Sequence, residues 1–187
     1  ESTRCVVINP TVRADVTGPS YPINARFLTD RGGDHNAIIG GLLVSNFDKL
    51  YQSEAAGIIR GFTWIDTKII NYSNTNTNGI IYIETNTGVT FSSGNVFSGI
   101  QVFNKRVMSN TTVGIGAGAT PGISSIVFDN WNVYNLPGSS GRIFTVDSGS
   151  NLIFTNNKIW GTSGCFSDSG IDTRWTGNDN FCNGAEQ

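Results

Sequence analysis

The sequence predicts an all-β chain wound as a single-stranded parallel β-helix, about six coils of ~26 residues each. Three observations predict it. Apolar residues recur at a start, two positions on and seven positions on, as in IVFDNWNV (126–133) and LIFTNNKI (152–159). Alternating apolar pairs follow near positions +18 and +20, at Ile23 and Ala25, Ile81 and Ile83, and Phe144 and Val146, as half-buried strands require. The polar residues are mostly Asn, Ser, Thr and 23 Gly, which favour turns and strand ends over helices. The nearest helical candidate, DKLYQSEAAGIIRG (48–61), is short and weakly periodic.

The elements follow in order. The rhythm places coil starts at 5, 37, 63, 89, 126 and 152, on Cys5–Val7–Val12, Ala37–Ile39–Val44, Thr63–Ile65–Ile70, Val89–Phe91–Val96, Ile126–Phe128–Val133 and Leu152–Phe154–Ile159. Successive starts differ by 32, 26, 26, 37 and 26. The Gly-rich DRGGDH (30–35) and GIGAGATPG (114–122) account for the longer intervals as loops thrown out of a turn. At +4 the residues are Asn9, Gly41, Thr67, Ser93, Asn130 and Asn156, small groups suited to a hydrogen-bonded ladder along one bend. Helical solenoids need amphipathic helices, leucine-rich repeats need their own Leu/Asn spacing, and propeller blades are longer, roughly 40 residues. A parallel β-helix accepts the unit, each coil rising about 4.8 Å. Residues 1–162 are assigned to coils and 163–187 to a C-terminal cap, with Trp175 and Phe181 folding back over the last coil. The front end shows no comparable cap, so the coils are expected to form the terminal part of a longer helix, or to be covered there by another subunit.

Bulk properties exclude several functions. Only 14% of residues are charged, the formal net charge is −2, and the twelve Lys and Arg form no run, which argues against a nucleic-acid surface. No apolar run is long enough to span a membrane. The three cysteines fit no zinc motif, and Cys165 and Cys182 are either paired across a C-terminal loop or small buried residues. His35, the single histidine, sits in a loop with no nucleophile elbow elsewhere. GIGAGATPG lacks the Lys-Ser/Thr ending of a phosphate loop, and DRGGD lacks ordered calcium-ligand spacing. Neither a metal nor a cofactor is expected.

The apolar-x-apolar-x-Asn pattern of IVFDN and LIFTN resembles the right-handed, pectate-lyase-like β-helix superfamily. The Asn/Ser/Thr/Gly-rich texture with loop insertions is similar to its bacteriophage members, the tailspikes and capsule depolymerases. The resemblance covers roughly residues 5–162 and includes no catalytic signature. It implies a homotrimer in the virion tail, acting outside the cell to bind bacterial surface polysaccharide and cut it as a glycoside hydrolase or polysaccharide lyase. Two alternatives stand beside that reading. One is a non-catalytic trimerisation and receptor-binding part of a tail fibre or spike. The other is a secreted pectin-lyase-like enzyme, for which a clustered calcium site or a basic residue poised near acids is missing.

The repeat also assigns outward positions. Asp66 and Asp129 fall at +3, two coils or about 9.6 Å apart. Carboxylates separated by roughly 6.5–9.5 Å suit an inverting glycosidase, one protonating the leaving oxygen and the other activating water. Glu84 and Asp147 form a second candidate pair at +21, with the same spacing. Solvated surface acids that resist lateral association explain both pairs equally well. At +8, Phe97, Tyr134 and Trp160 are expected to form an outward aromatic stripe, with Trp64 and Trp131 also on outward positions. Such a stripe serves either sugar contact or a subunit interface, where aromatics are enriched.

Overall fold

The computed structural model describes residues 2–13, 26–30, 33–47, 49–53, 58–73, 80–83, 90–91, 94–108, 112–115, 124–146, 150–162, 164–168, 174–175, 180–183 and 185–186. Among these the chain is all-β, without helices, and its strands form parallel sheets. The first sheet contains Ser2–Thr3, Gly33–Asp34, Ile58–Arg60 and Thr90–Phe91. The second contains Val6–Ile8, Ala37–Ile39, Thr63–Ile65, Asn95–Ser98, Ser124–Asp129, Ser150–Thr155 and Arg174–Trp175. The third runs through Thr11–Arg13, Leu42–Ser45, Lys68–Asn71, Gln101–Asn104, Asn132–Ser139, Lys158–Thr162 and Phe181–Cys182. Ala185–Glu186 closes its edge antiparallel to Phe181–Cys182. The fourth holds Arg26–Asp30, Lys49–Ser53, Ile81–Ile83, Val113–Ile115, Phe144–Val146 and Phe166–Asp168. In every sheet the strands stand in chain order, so each one pairs with its counterpart from the repeat before and the repeat after. Parallel pairing demands a long crossover between partners, and here the strands of the other sheets supply it.

Register converts this order into a core. Val7, Ile38, Trp64, Phe97, Phe128 and Phe154 occupy one row of the second sheet. Val12, Leu43, Ile69, Val102, Val133, Ile159 and Cys182 occupy one row of the third. Phe128 stacks on Phe97 at 5.3 Å and on Phe154 at 4.9 Å, the latter pair within 8° of parallel. Phe144 of the fourth sheet meets Phe128 edge-on and stacks on Phe166. Burying each such ring is worth about 1.5–3 kcal/mol, with about 0.5–1.5 kcal/mol more for aromatic contact.

The bend between the second and third sheets is made the same way in six successive repeats among the described residues. Asn9, Gly40, Asp66, Gly99, Asn130 and Asn156 all take left-handed φ, between 48° and 69°. Asn, Asp and Gly tolerate this region best. At four of the repeats the next position ties the repeat to the one before by a side-chain hydrogen bond. Thr67 Oγ1 donates to the Gly40 carbonyl at 2.7 Å, and Trp131 Nε1 to the Phe97 carbonyl at 2.9 Å. Asn157 Nδ2 donates to the Phe128 carbonyl, and Asn180 Nδ2 to the Phe154 carbonyl. A second buried ladder, Asn71 to Asn104 to Asn135, lines the exit from the third sheet.

Three expectations are corrected. The rows put the second, third and fourth starts at 36, 62 and 95, where the rhythm puts them at 37, 63 and 89. The outer face of the second sheet is itself apolar at Ala37, Ile39 and Ile65, so apolar alternation alone could not separate inside from outside. The fourth start carries Asn95, buried because its Oδ1 accepts from the Phe62 amide, while Phe91 belongs to the first sheet. The bend ladder accordingly uses Gly40, Asp66 and Gly99 rather than Gly41, Thr67 and Ser93; Ser93 lies outside the described residues. The segment assigned to a separate cap pairs with the same sheets, through Phe166–Asp168, Arg174–Trp175 and Phe181–Cys182. A Cys165–Cys182 disulfide joins the residue just before the last fourth-sheet strand to the third sheet, and Cys5 is free and exposed. Closing a loop of this length is worth about 3 kcal/mol in the chain-entropy account.

The stack of three phenylalanines yields a direct test. Phe128→Ala should cost about 3–5 kcal/mol in denaturant unfolding, as for any ring deleted from a packed interior. A loss below about 1 kcal/mol would mean that the ring is not confined between its neighbours.

Candidate functional site

The outer face of the third sheet gathers side chains that are far apart in the chain. Outward positions alternate with the core row, and parallel register places each above its counterpart. One outward row reads Arg13, Val44, Ile70, Phe103, Tyr134 and Trp160. Beside it runs Thr11, Leu42, Lys68, Gln101, Asn132 and Lys158.

Phe103, Tyr134 and Trp160 form a stack outside the core. Ring centroids are 4.8 Å apart between Phe103 and Tyr134 and 4.6 Å apart between Tyr134 and Trp160, with planes 9° and 5° from parallel. These spacings match the distance between neighbouring strands, so the rings lie like plates across the stack. Tyr134 is covered on both faces, Phe103 and Trp160 each give it one face, and the ring edges turn to solvent. The edges carry the positive lobe of the ring quadrupole. Tyr134 is 38% exposed, and Phe103 and Trp160 are half-buried. The Lys68 ammonium stands 5.0 Å from the Phe103 ring centroid and the Lys105 ammonium 5.8 Å. Each contact is worth about 0.5–1 kcal/mol at an exposed site.

The expected aromatic stripe is therefore partly right and partly corrected. Tyr134 and Trp160 face outward together. Trp64, Phe97 and Trp131 are instead buried in the core. Both indoles meet hydrogen-bond acceptors there: Trp64 Nε1 donates to Thr67 Oγ1 at 2.8 Å, and Trp131 Nε1 to the Phe97 carbonyl. With the fourth start moved to 95, position +8 falls on Phe103, the residue the stripe needs. The lysines gave no linear signal, because only register brings them to one face.

The expected Asp66/Asp129 pair does not share one column. Asp129 is level with Ile65 and Ser98, whereas Asp66 is level with Gly99 and Asn130 in the left-handed bend. Both Asp129 oxygens accept hydrogen bonds at 3.0 Å, Oδ2 from Ser98 Oγ and Oδ1 from Asn156 Nδ2. Asp129 thus crosslinks three successive repeats. Asp66 is exposed, and its Oδ1 lies where a Cβ on Gly99 would stand, so Gly99 leaves the carboxylate its space. Glu84 and Asp147 lie outside the described residues. His35 is exposed, takes left-handed φ and packs over Gly61 at the corresponding bend after the first sheet. Among the described residues no group of three His, Cys, Asp or Glu side chains could hold a metal ion, and no helix is long and apolar enough to cross a membrane.

No family model, curated protein or solved structure matches the chain.

The bend role of Asp66 separates from a chemical one by substitution. Asp66→Asn should leave stability within about 0.5 kcal/mol, while Asp66→Val should lose about 1–2 kcal/mol in thermal or denaturant unfolding, because a β-branched residue resists left-handed φ. Equal tolerance of both would show that the bend does not constrain this position.

Proposed function

We propose that the four sheets are the faces of one right-handed parallel β-helix of about six turns, and that it belongs to a phage tailspike-like protein that recognises bacterial surface polysaccharide outside the cell. In-order parallel pairing in all four sheets supports the helix, and the resemblance of IVFDN and LIFTN supports its hand. The observation that carries the function is the outward stack Phe103–Tyr134–Trp160 with its flanking row Lys68, Gln101, Asn132 and Lys158. Together they make a strip rather than a pocket. A strip running across successive strands suits an extended polymer, which can contact every strand it crosses. Amide, ammonium, phenol and indole groups line it, and all of these hydrogen-bond sugar hydroxyls.

Recognition without cleavage is the reading favoured for the described residues. Asp129 has both oxygens engaged in holding repeats together, and Asp66 serves a bend in a different column. Neither is placed as half of an acid–base pair. The homotrimer is supported by the outer face of the second sheet, where Ala37, Ile39, Ile65, Val96, Val127 and Ile153 are half-buried and Val6 and Ile8 exposed. An apolar sheet face of this kind suits burial against neighbouring subunits.

Affinity electrophoresis through gels containing capsular or lipopolysaccharide fractions tests the binding. The chain should be retarded by at least one fraction, and Tyr134→Ser with Trp160→Ser should weaken that retardation about tenfold or more, with no reducing ends or unsaturated uronides released. Unchanged retardation of the double variant would remove the strip from the binding site. Sedimentation analysis should give three times the monomer mass, and a monomer would leave the apolar face of the second sheet unexplained.

A further inference from the structure

We infer that the polymer received by this strip is an acidic one, its anionic groups held between Lys68 and Lys105 at the Phe103 ring; the inference rests on the polysaccharide reading above. Two ammonium groups from successive repeats approach one ring, at 5.0 and 5.8 Å from its centroid. Like charges repel, and in a solvated surface they are ordinarily separated or offset by a nearby carboxylate. Here neither lysine, nor Lys158 further along the same row, has a carboxylate partner among the described residues. All three are exposed.

The surroundings point the same way. The outward rows of the third sheet, from Thr11 and Arg13 to Lys158 and Trp160, contain no acid. The chain as a whole carries a formal net charge of −2, so this face is positive against the sign of the molecule. The aromatic edges add their positive rim, and Tyr134 and Trp160 add an O–H and an N–H. Ammonium groups in this setting form charge-assisted hydrogen bonds to carboxylate or sulfate oxygens, stronger than those to neutral hydroxyls. Single-stranded nucleic acid is also anionic, but it is gripped by bases stacking on open aromatic faces. In this strip both faces of Tyr134 are covered, Phe103 and Trp160 each give one face to it, and two ammonium groups stand over the Phe103 ring, which leaves little open aromatic face.

The test uses the whole chain with polygalacturonate, hyaluronan and dextran as probes. Both acidic polymers should bind and dextran should not, and raising salt from about 0.05 M to about 0.5 M should weaken binding about tenfold as charges are screened. Lys68→Gln with Lys105→Gln should reduce affinity for the acidic polymers about tenfold or more, arginine at both positions should retain it, and melting temperature should fall by no more than about 5 °C in either variant, so that both remain folded in the assay. Equal binding of dextran, or indifference to the double Gln variant, would overturn the inference while leaving a polysaccharide surface in place. An oligothymidylate bound more tightly than either acidic polymer would overturn it in favour of nucleic acid. Absence of binding to all three polysaccharides as well as to bacterial capsular and lipopolysaccharide fractions would overturn the polysaccharide reading itself.

Discussion

Hydrogen bonding between a strand and its counterpart one repeat later is the constraint on which everything else rests. Parallel, in-register pairing places each side chain over its equivalent and gives it no choice of neighbour. Phenylalanine then stacks on phenylalanine inside, and tyrosine on tryptophan outside. Asparagine bonds to asparagine at the exit from the third sheet. A buried amide is costly alone and inexpensive in a ladder, because each neighbour supplies the partner the interior otherwise lacks. Stability in such a chain is close to a sum over repeats and their contacts.

Much of this was legible in the residues. The pairs Ile126–Phe128–Val133 and Leu152–Phe154–Ile159 share a register in the sequence and in the structure. So do Asn130 and Asn156 in the bend. What could not be read has a common physical cause. A period-2 pattern reports which face is buried only when the other face is polar, and the outer face of the second sheet is not. Alternation alone therefore turns Trp64 to solvent, whereas its neighbours Thr63 and Ile65 are the ones turned outward. Asn95 hid a repeat start because a satisfied buried amide looks polar in one dimension. The Lys68–Lys105–Phe103 arrangement depends on three residues from two repeats, and no linear pattern contains it.

The two aromatic stacks illustrate how one geometric rule serves different ends. Inside, Phe97, Phe128 and Phe154 exclude water on all sides and contribute packing. Outside, Phe103, Tyr134 and Trp160 have the same spacing but keep their rims wet. What the outer stack offers a ligand is thus a serrated, weakly positive edge carrying donors. A sugar polymer meets such an edge through its oxygens more than through its C–H faces.

The left-handed bend carries one more implication. Phe97 and Phe103, Phe128 and Tyr134, and Phe154 and Trp160 are each separated by the same stretch of chain, folded round Gly99, Asn130 or Asn156. Over these three repeats the differences in length fall after the outward ring, beginning with the register shift between Tyr134 and Ser139. The corner acts as a fixed ruler between interior and strip, and the far side of each repeat is a place where chain can be added or removed. Such a molecule could acquire new decorations on that side by insertion and keep its exterior spacing unchanged, much as a bookbinding holds its spine while pages of different width are sewn in.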